Sequence, residues 1–128
     1  MSMNHKELKV WRKSIELVIE IYKLVKMLPK EETYALSDQM RRAAVSIPSN
    51  ISEGNGRESD REFLRFLLIA QGSNAEIETQ LIICEELGYI SNERLQIAFQ
   101  LNDEVAKMLK MFIMKIRGEL EAQQKAKS

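Results

Sequence analysis

At 128 residues and 14.8 kDa, the chain has the size of one domain. Its 19 basic and 19 acidic residues cancel, so the overall charge does not draw it to nucleic acid or to an anionic membrane. The single cysteine, Cys84, excludes an internal disulfide and a multi-thiolate metal site. With no apolar signal core and no run long enough to span a bilayer, the sequence predicts a cytoplasmic protein.

The first predicted helix spans roughly residues 6–28. Apolar residues recur in it at alternating intervals of three and four, which places them on one stripe. We expect this stripe to face the core: Leu8, Trp11, Ile15, Val18, Tyr22 and Val25. Leu28 and Pro29 then end the helix, because a residue that precedes proline avoids the α region.

The second predicted helix spans roughly residues 33–54 and runs through a proline. Its stripe consists of Leu36, Met40, Ala43, Ala44, Ile47 and Ile51. The stripe keeps its phase across Pro48, so we predict one continuous helix with a kink there rather than an active loop. Gly54 and Gly56 are expected to supply the positive φ angles that end it.

The third and fourth helices are predicted over residues 60–87 and 92–117. Ser59 and Glu62 form the pattern of a capping box, Gly88 is typical of a helix end, and Ser91 is expected to cap the fourth helix. Asn74 is the single polar residue of the third stripe, which consists of Phe63, Leu67, Ala70, Asn74, Ile77, Leu81, Cys84 and Leu87. The fourth stripe consists of Ala98, Leu101, Val105, Met108, Phe112 and Ile116. The remaining residues, 118–128, are polar and are predicted to fray. The fold class is therefore all-α, an up-down-up-down four-helix bundle in which residues 1–128 form a single domain.

The helices carry more apolar residues than one core can bury. An isolated bundle needs an apolar arc of about 100° on each helix, and the surplus predicts an exposed patch that a second subunit covers. We assign the oligomer interface to the last helix, at Phe99, Leu109, Met111, Ile113 and Met114.

Residues that could support catalysis are scarce. With one histidine, His5, neither a Ser-His-Asp triad nor a di-iron bundle site can be assembled. Cys84 lies on the apolar stripe and is expected to be a small buried hydrophobe. We therefore predict no enzyme activity, no catalytic residue, no metal, no cofactor and no small-molecule substrate.

Five arginines are candidate nucleic-acid-binding residues: Arg41, Arg42, Arg57, Arg61 and Arg65. They could form a basic surface that follows a phosphate backbone. The alternative is that they pair with carboxylates on their own or neighbouring helices.

A polar seam between helices is also predicted, consisting of Arg42, Ser46, Asn50, Glu53 and Glu76. Burying such a seam requires that each member be hydrogen-bonded. A catalytic role would require the seam to open into a pocket.

The chain resembles the 23S rRNA intervening-sequence protein family. The resemblance rests on LKVWRKSIELVIEIY, LSDQMRRAAVSIPSNISEGNGRES, EFLRFLLIAQGSNAEIETQL and ELGYI. It implies a bundle that assembles as a ring-like homo-oligomer, with a pentamer as the expected size, and it brings no catalytic residues. The family is named for insertions in bacterial 23S rRNA genes. Its fold is similar to the nucleic-acid-binding accessory protein of diversity-generating retroelements.

The resulting hypothesis is a non-enzymatic oligomeric scaffold or adaptor that binds RNA or DNA through an arginine-rich rim formed on assembly. The alternative is a protein–protein interaction module without a nucleic-acid role.

Overall fold

The computed structural model describes residues 3–127 and contains four long helices in that range, with no strand. They are α1 (His5–Val25), α2 (Leu36–Asn55), α3 (Asp60–Glu86) and α4 (Asn92–Lys127). A short 3₁₀ turn, Lys30–Glu32, lies between α1 and α2. Among the described helices, none combines the length and apolar character that crossing a membrane requires.

Each helix packs against the next one along the chain, and α4 closes the bundle against α1. In the described residues α1 does not contact α3, and α2 does not contact α4, so the four helices occupy the corners of a square. Neighbouring helices run in opposite directions. The predicted helical bundle is therefore confirmed.

α2 is continuous through Pro48, which is buried together with Ile47 and Ile51. The predicted single helix is confirmed, and the kink remains a prediction. The positive φ angles predicted at Gly54 and Gly56 are wrong, because Gly88 is the one described residue with a positive φ, at 72°. Gly54 serves a different purpose, which is to let α3 approach α2 closely.

The caps of α3 and α4 follow the sequence prediction in part. The Ser59 hydroxyl accepts from the Glu62 amide at 3.2 Å, and the Ser91 hydroxyl accepts from the Arg94 amide at 3.2 Å. The Glu62 carboxylate accepts from Arg65. A bond from the Ser59 amide to the Glu62 carboxylate, which would complete the capping box, does not appear among the described bonds.

α4 has 36 residues and is longer than predicted. Its expected end at residue 117 was wrong, since the helix continues through Gly118 to Lys127. The added turns consist mostly of Glu, Gln, Ala, Leu and Lys, which favour helix. Leu120 packs against the core, and Gln123 donates to Asp60 at 3.4 Å, so α3 supports this extension.

The stripe predicted to face the core from α1 lies at the edge of the core, where Trp11 and Val18 pack half-buried against it. The buried residues of α1 and of the turn after it belong mainly to another row: Val10, Ser14, Leu17, Ile21, Leu24 and Leu28. Both rows repeat at intervals of three and four residues, so periodicity alone could not choose between them. Of the predicted stripe, Val25 is buried, whereas Leu8 and Tyr22 are exposed.

Two buried asparagines join α3 to α4. The side-chain amide of Asn74 donates to the backbone carbonyl of Asn102 at 3.0 Å and to its Oδ1 at 2.5 Å. Asn102 Nδ2 donates back to the Asn74 carbonyl at 3.1 Å. A slip of either helix would leave these amides unpaired in the core, so the pair fixes the register of α3 against α4.

We predict that Gly54→Ala destabilises the bundle, whereas Gly72→Ala stabilises it. A Cβ at Gly54 would lie 2.7 Å from Phe63 Cδ1 and 2.9 Å from Phe66 Cβ, but a Cβ at Gly72 would meet nothing within 4 Å. Overpacking costs about 1–3 kcal/mol, and replacing an exposed helical glycine gains about 0.5–1 kcal/mol. Urea unfolding of both variants measures the difference, and equal effects would contradict this account of Gly54.

Candidate functional site

The predicted polar seam is divided between two places. Arg42, Ser46 and Glu76 line a groove of about 350 Å³ on the outside of α2 and α3. Glu53 lies elsewhere, where its carboxylate pairs with Arg57. The Arg42 guanidinium bonds to Asp38 at 3.0 Å, within its own helix, rather than reaching Glu76 across the groove.

The hydroxyls of this groove bond to each other. Ser73 donates to Ser46 Oγ at 2.8 Å, and the Asn50 side chain donates to Ser46 Oγ at 2.9 Å and to the Ser46 carbonyl at 2.7 Å. Gln80 Nε2 donates to Glu76 at 3.3 Å. In these bonds neither serine meets the imidazole or carboxylate that would activate it as a nucleophile. They are contacts that hold α2 against α3.

Three of the candidate arginines lie at the turn that joins α2 to α3. The guanidinium carbons of Arg57 and Arg65 lie 5.0 Å and 4.7 Å from the centre of the Phe66 ring. Each also pairs with a carboxylate, Arg57 with Glu53 and Arg65 with Glu62. The third, Arg61, is exposed. We call Arg57, Arg61 and Arg65 the arginine cluster.

Arg41 and Arg42 do not join this cluster. Arg42 precedes Arg57 by 15 residues, which corresponds to about 22 Å of helix. Arg41 donates to the Thr33 carbonyl at 3.4 Å. The five arginines therefore form two separate groups on one copy of the chain.

The interface predicted on α4 is not one continuous surface. Leu109 and Ile113 have 0% and 2% of their surface exposed and belong to the core, so their assignment to an exterior patch was wrong. Phe99 packs half-buried against the same core. Only Met111 and Met114 are strongly exposed, at 74% and 62%. Neighbouring rows of α4 are both apolar and have the same spacing, so the sequence alone could not decide which row faces the core.

A further apolar surface lies on α1. We call its five residues the α1 outer stripe: Leu8, Trp11, Ile15, Val18 and Tyr22. They span about 20 Å of helix, and each is exposed or half-buried. Val45 and Pro48 of α2 join the middle of this stripe and line a shallow groove of about 640 Å³ with it. Large aromatic and aliphatic side chains gathered on one surface are typical of protein interfaces.

Known proteins identify the fold and the family, but not a reaction. A family model described as 23S rRNA-intervening sequence protein matches residues 6–111. The chain belongs to this family. No curated protein matches it. Among solved structures, it is similar to a protein of unknown function from the S23 ribosomal protein family of Bacteroides thetaiotaomicron VPI-5482, with 30% identity and a TM-score of 0.78. That alignment covers 85% of this chain and 98% of the other.

The intervening-sequence match contains the α1 outer stripe and the arginine cluster, and it stops before Met114. Sequence reasoning found the stripe but placed it inside the bundle. It missed Ser73 and Asp38 as partners of the seam. Of these, Asp38 had a signal, because it precedes Arg42 by one helical turn.

Among the side chains that the structure describes, no group of three or more His, Cys, Asp or Glu could hold a metal ion. Cys84 lies fully buried, with its Sγ 3.7 Å from Met40 Sδ. Burial raises the pKa of the Cys84 thiol to about 11, and the nearby charge of Glu32 adds to the effect.

We predict that Cys84 resists thiol reagents in the folded protein. With its pKa raised, about one thiol in a thousand would be ionised at about pH 8, and the buried sulfur cannot be reached. Labelling with a chromogenic disulfide should therefore be slow in buffer and fast in denaturant. Equal rates in the two conditions would show that the thiol is accessible.

Proposed function

We propose that this protein is a non-enzymatic adaptor that assembles with copies of itself through the α1 outer stripe. The observation that carries the proposal is a row of large apolar side chains on α1 that stay exposed or half-buried, although Trp11 and Val18 touch the core on one side. Such a row is costly to leave in water. The resemblance to the intervening-sequence family implies a closed ring, with a pentamer as the expected size.

A second function that we propose for the assembly is to bind RNA or DNA at the arginine cluster. Supporting it, Arg57 and Arg65 lie against the same Phe66 ring, which brings two guanidinium groups together, and Arg61 is exposed one helical turn before Arg65. One copy has no net charge to attract a polyanion. Assembly would repeat the cluster around a ring, and repeated cations bind phosphates by releasing counterions.

The self-association proposal predicts that Leu8→Glu combined with Tyr22→Glu separates the copies. These side chains are 39% and 42% exposed, so a carboxylate there should spare the core but oppose burial in an interface. Light scattering should give a multiple of the chain mass for the wild type and a single chain for the variant, with unchanged helical circular dichroism.

Met114→Glu is the matched control, because Met114 is 62% exposed on α4, away from the stripe. It should leave the assembled mass unchanged. A stripe variant that keeps the wild-type mass, or a Met114 variant that loses it, would refute an interface on α1.

The nucleic-acid proposal predicts binding to a structured RNA hairpin that weakens steeply between about 50 mM and about 200 mM salt. Arg61→Gln should lower the slope of log affinity against log salt by about 1, since one phosphate contact is lost. Arg42→Gln, in the other group of arginines, should leave the slope unchanged. Fluorescence anisotropy measures both, and a lack of binding at about 50 mM salt would end this proposal.

A further inference from the structure

One edge of the α1 outer stripe carries positive charge that forms no ion pair within the part of the chain that the structure describes. Four exposed cations form this edge: Lys9, Arg12 and Lys23, each one position after a residue of the stripe, and Lys26, which directly follows the end of α1. Among the described residues, none of the four meets a carboxylate.

The carboxylates of α1, in contrast, are all occupied. Glu7 accepts from Asn4, Glu16 pairs with Lys13, and Glu20 pairs with Arg94. The stripe therefore presents an apolar surface with a positive edge, and a complementary surface should be apolar and negative.

The outer surface of α3 has that complementary character. From residue 66 to residue 87 the sequence contains no lysine or arginine. We call the following exposed residues the α3 acidic face: Leu68, Ile69, Glu76, Glu78, Ile82, Ile83, Glu86 and Leu87. Within the described range, its three carboxylates have no cation partner.

These two surfaces cannot meet within one copy, because α1 and α3 occupy diagonal corners of the bundle. We propose that the α3 acidic face of a second copy docks on the α1 outer stripe. The proposal rests on the self-association proposed above and adds the partner surface. Exposed Ile82 and Leu87, at 46% and 56%, supply apolar area, and the carboxylates meet the basic edge.

The pairing joins two different surfaces, so in each contact one copy keeps its acidic face free and the other keeps its stripe free for further copies. Such contacts repeat and close into a ring when the rotation between copies allows it. α1 and α3 run in the same direction in the bundle. If the ring axis is parallel to the helices, the carboxyl-terminal half of α1 in one copy lies beside the carboxyl-terminal half of α3 in the next. Lys23 and Lys26 then lie opposite Glu78 and Glu86.

The experiment exchanges the charges of this contact. One variant carries Lys23→Glu and Lys26→Glu, and the other carries Glu78→Lys and Glu86→Lys. Either variant alone places like charges opposite each other on α1 and α3, which should weaken assembly at least about tenfold. A chain with all four changes should assemble like the wild type because opposite charges face each other again. In an equimolar mixture of the two variants, unlike copies should associate with each other more strongly than either variant associates with itself.

Lys110→Glu combined with Arg117→Glu serves as the control, because it reverses the same number of exposed charges on α4. It should leave assembly unchanged. Masses come from light scattering at low salt, and circular dichroism checks that each variant is folded.

The outcomes separate the two proposals. If the wild type assembles and both double variants assemble equally well, the pairing of α1 with α3 is wrong while self-association stands. The same conclusion follows if the wild type assembles and the four-change chain has the mass of a single chain. If the wild type is a single chain at every concentration, self-association itself is wrong, and a foreign acidic helix becomes the occupant of the stripe.

Discussion

α1 carries two complete rows of apolar side chains, and a four-helix core can bury only one of them. The row that is buried, from Val10 to Leu28, belongs to the core of the bundle. The other row remains on the surface beside Val45 and Pro48. That competition distinguishes this bundle from a self-contained one, because the second row leaves apolar surface exposed to solvent.

Polar contacts decide how the helices are aligned once their apolar rows are chosen. Asn74 and Asn102 fix α3 against α4, and Ser46 and Ser73 join α2 to α3. Glu20, 6% exposed, bonds to Arg94 and ties α1 to α4. Each of these bonds would leave a buried polar group unpaired if its helix shifted by a turn. Apolar packing supplies the stability, and these bonds select one arrangement.

Sequence reasoning chose the buried row correctly on α2 and on α3. On α2 the predicted residues from Met40 to Ile51 are buried, and on α3 all but Leu87 of the predicted stripe are buried. It failed on α1 and in part on α4, where adjacent rows such as those of Met108 and Leu109 are equally apolar. Periodicity gives the spacing of a stripe but not its direction, which depends on the neighbouring helices.

The candidate site was predictable in composition but not in arrangement. The arginines, the seam and a surplus apolar surface were all visible in the sequence. Which arginine reaches which carboxylate was not, because Arg42 had both Asp38 on its own helix and Glu76 on the next within reach. The bond within the helix costs less ordering of the two side chains, and that is the one that forms.

The hydroxyl of Tyr89 donates to Glu32 at 2.8 Å, which ties the turn after α3 to the turn before α2. This bond raises the pKa of Tyr89, so the hydroxyl keeps its proton above the pH at which a free tyrosine would lose it. One end of the bundle therefore has its two connections fastened together, while the opposite end has one turn and both ends of the described chain. Melting should begin at that opposite end and reach Glu32 and Tyr89 last.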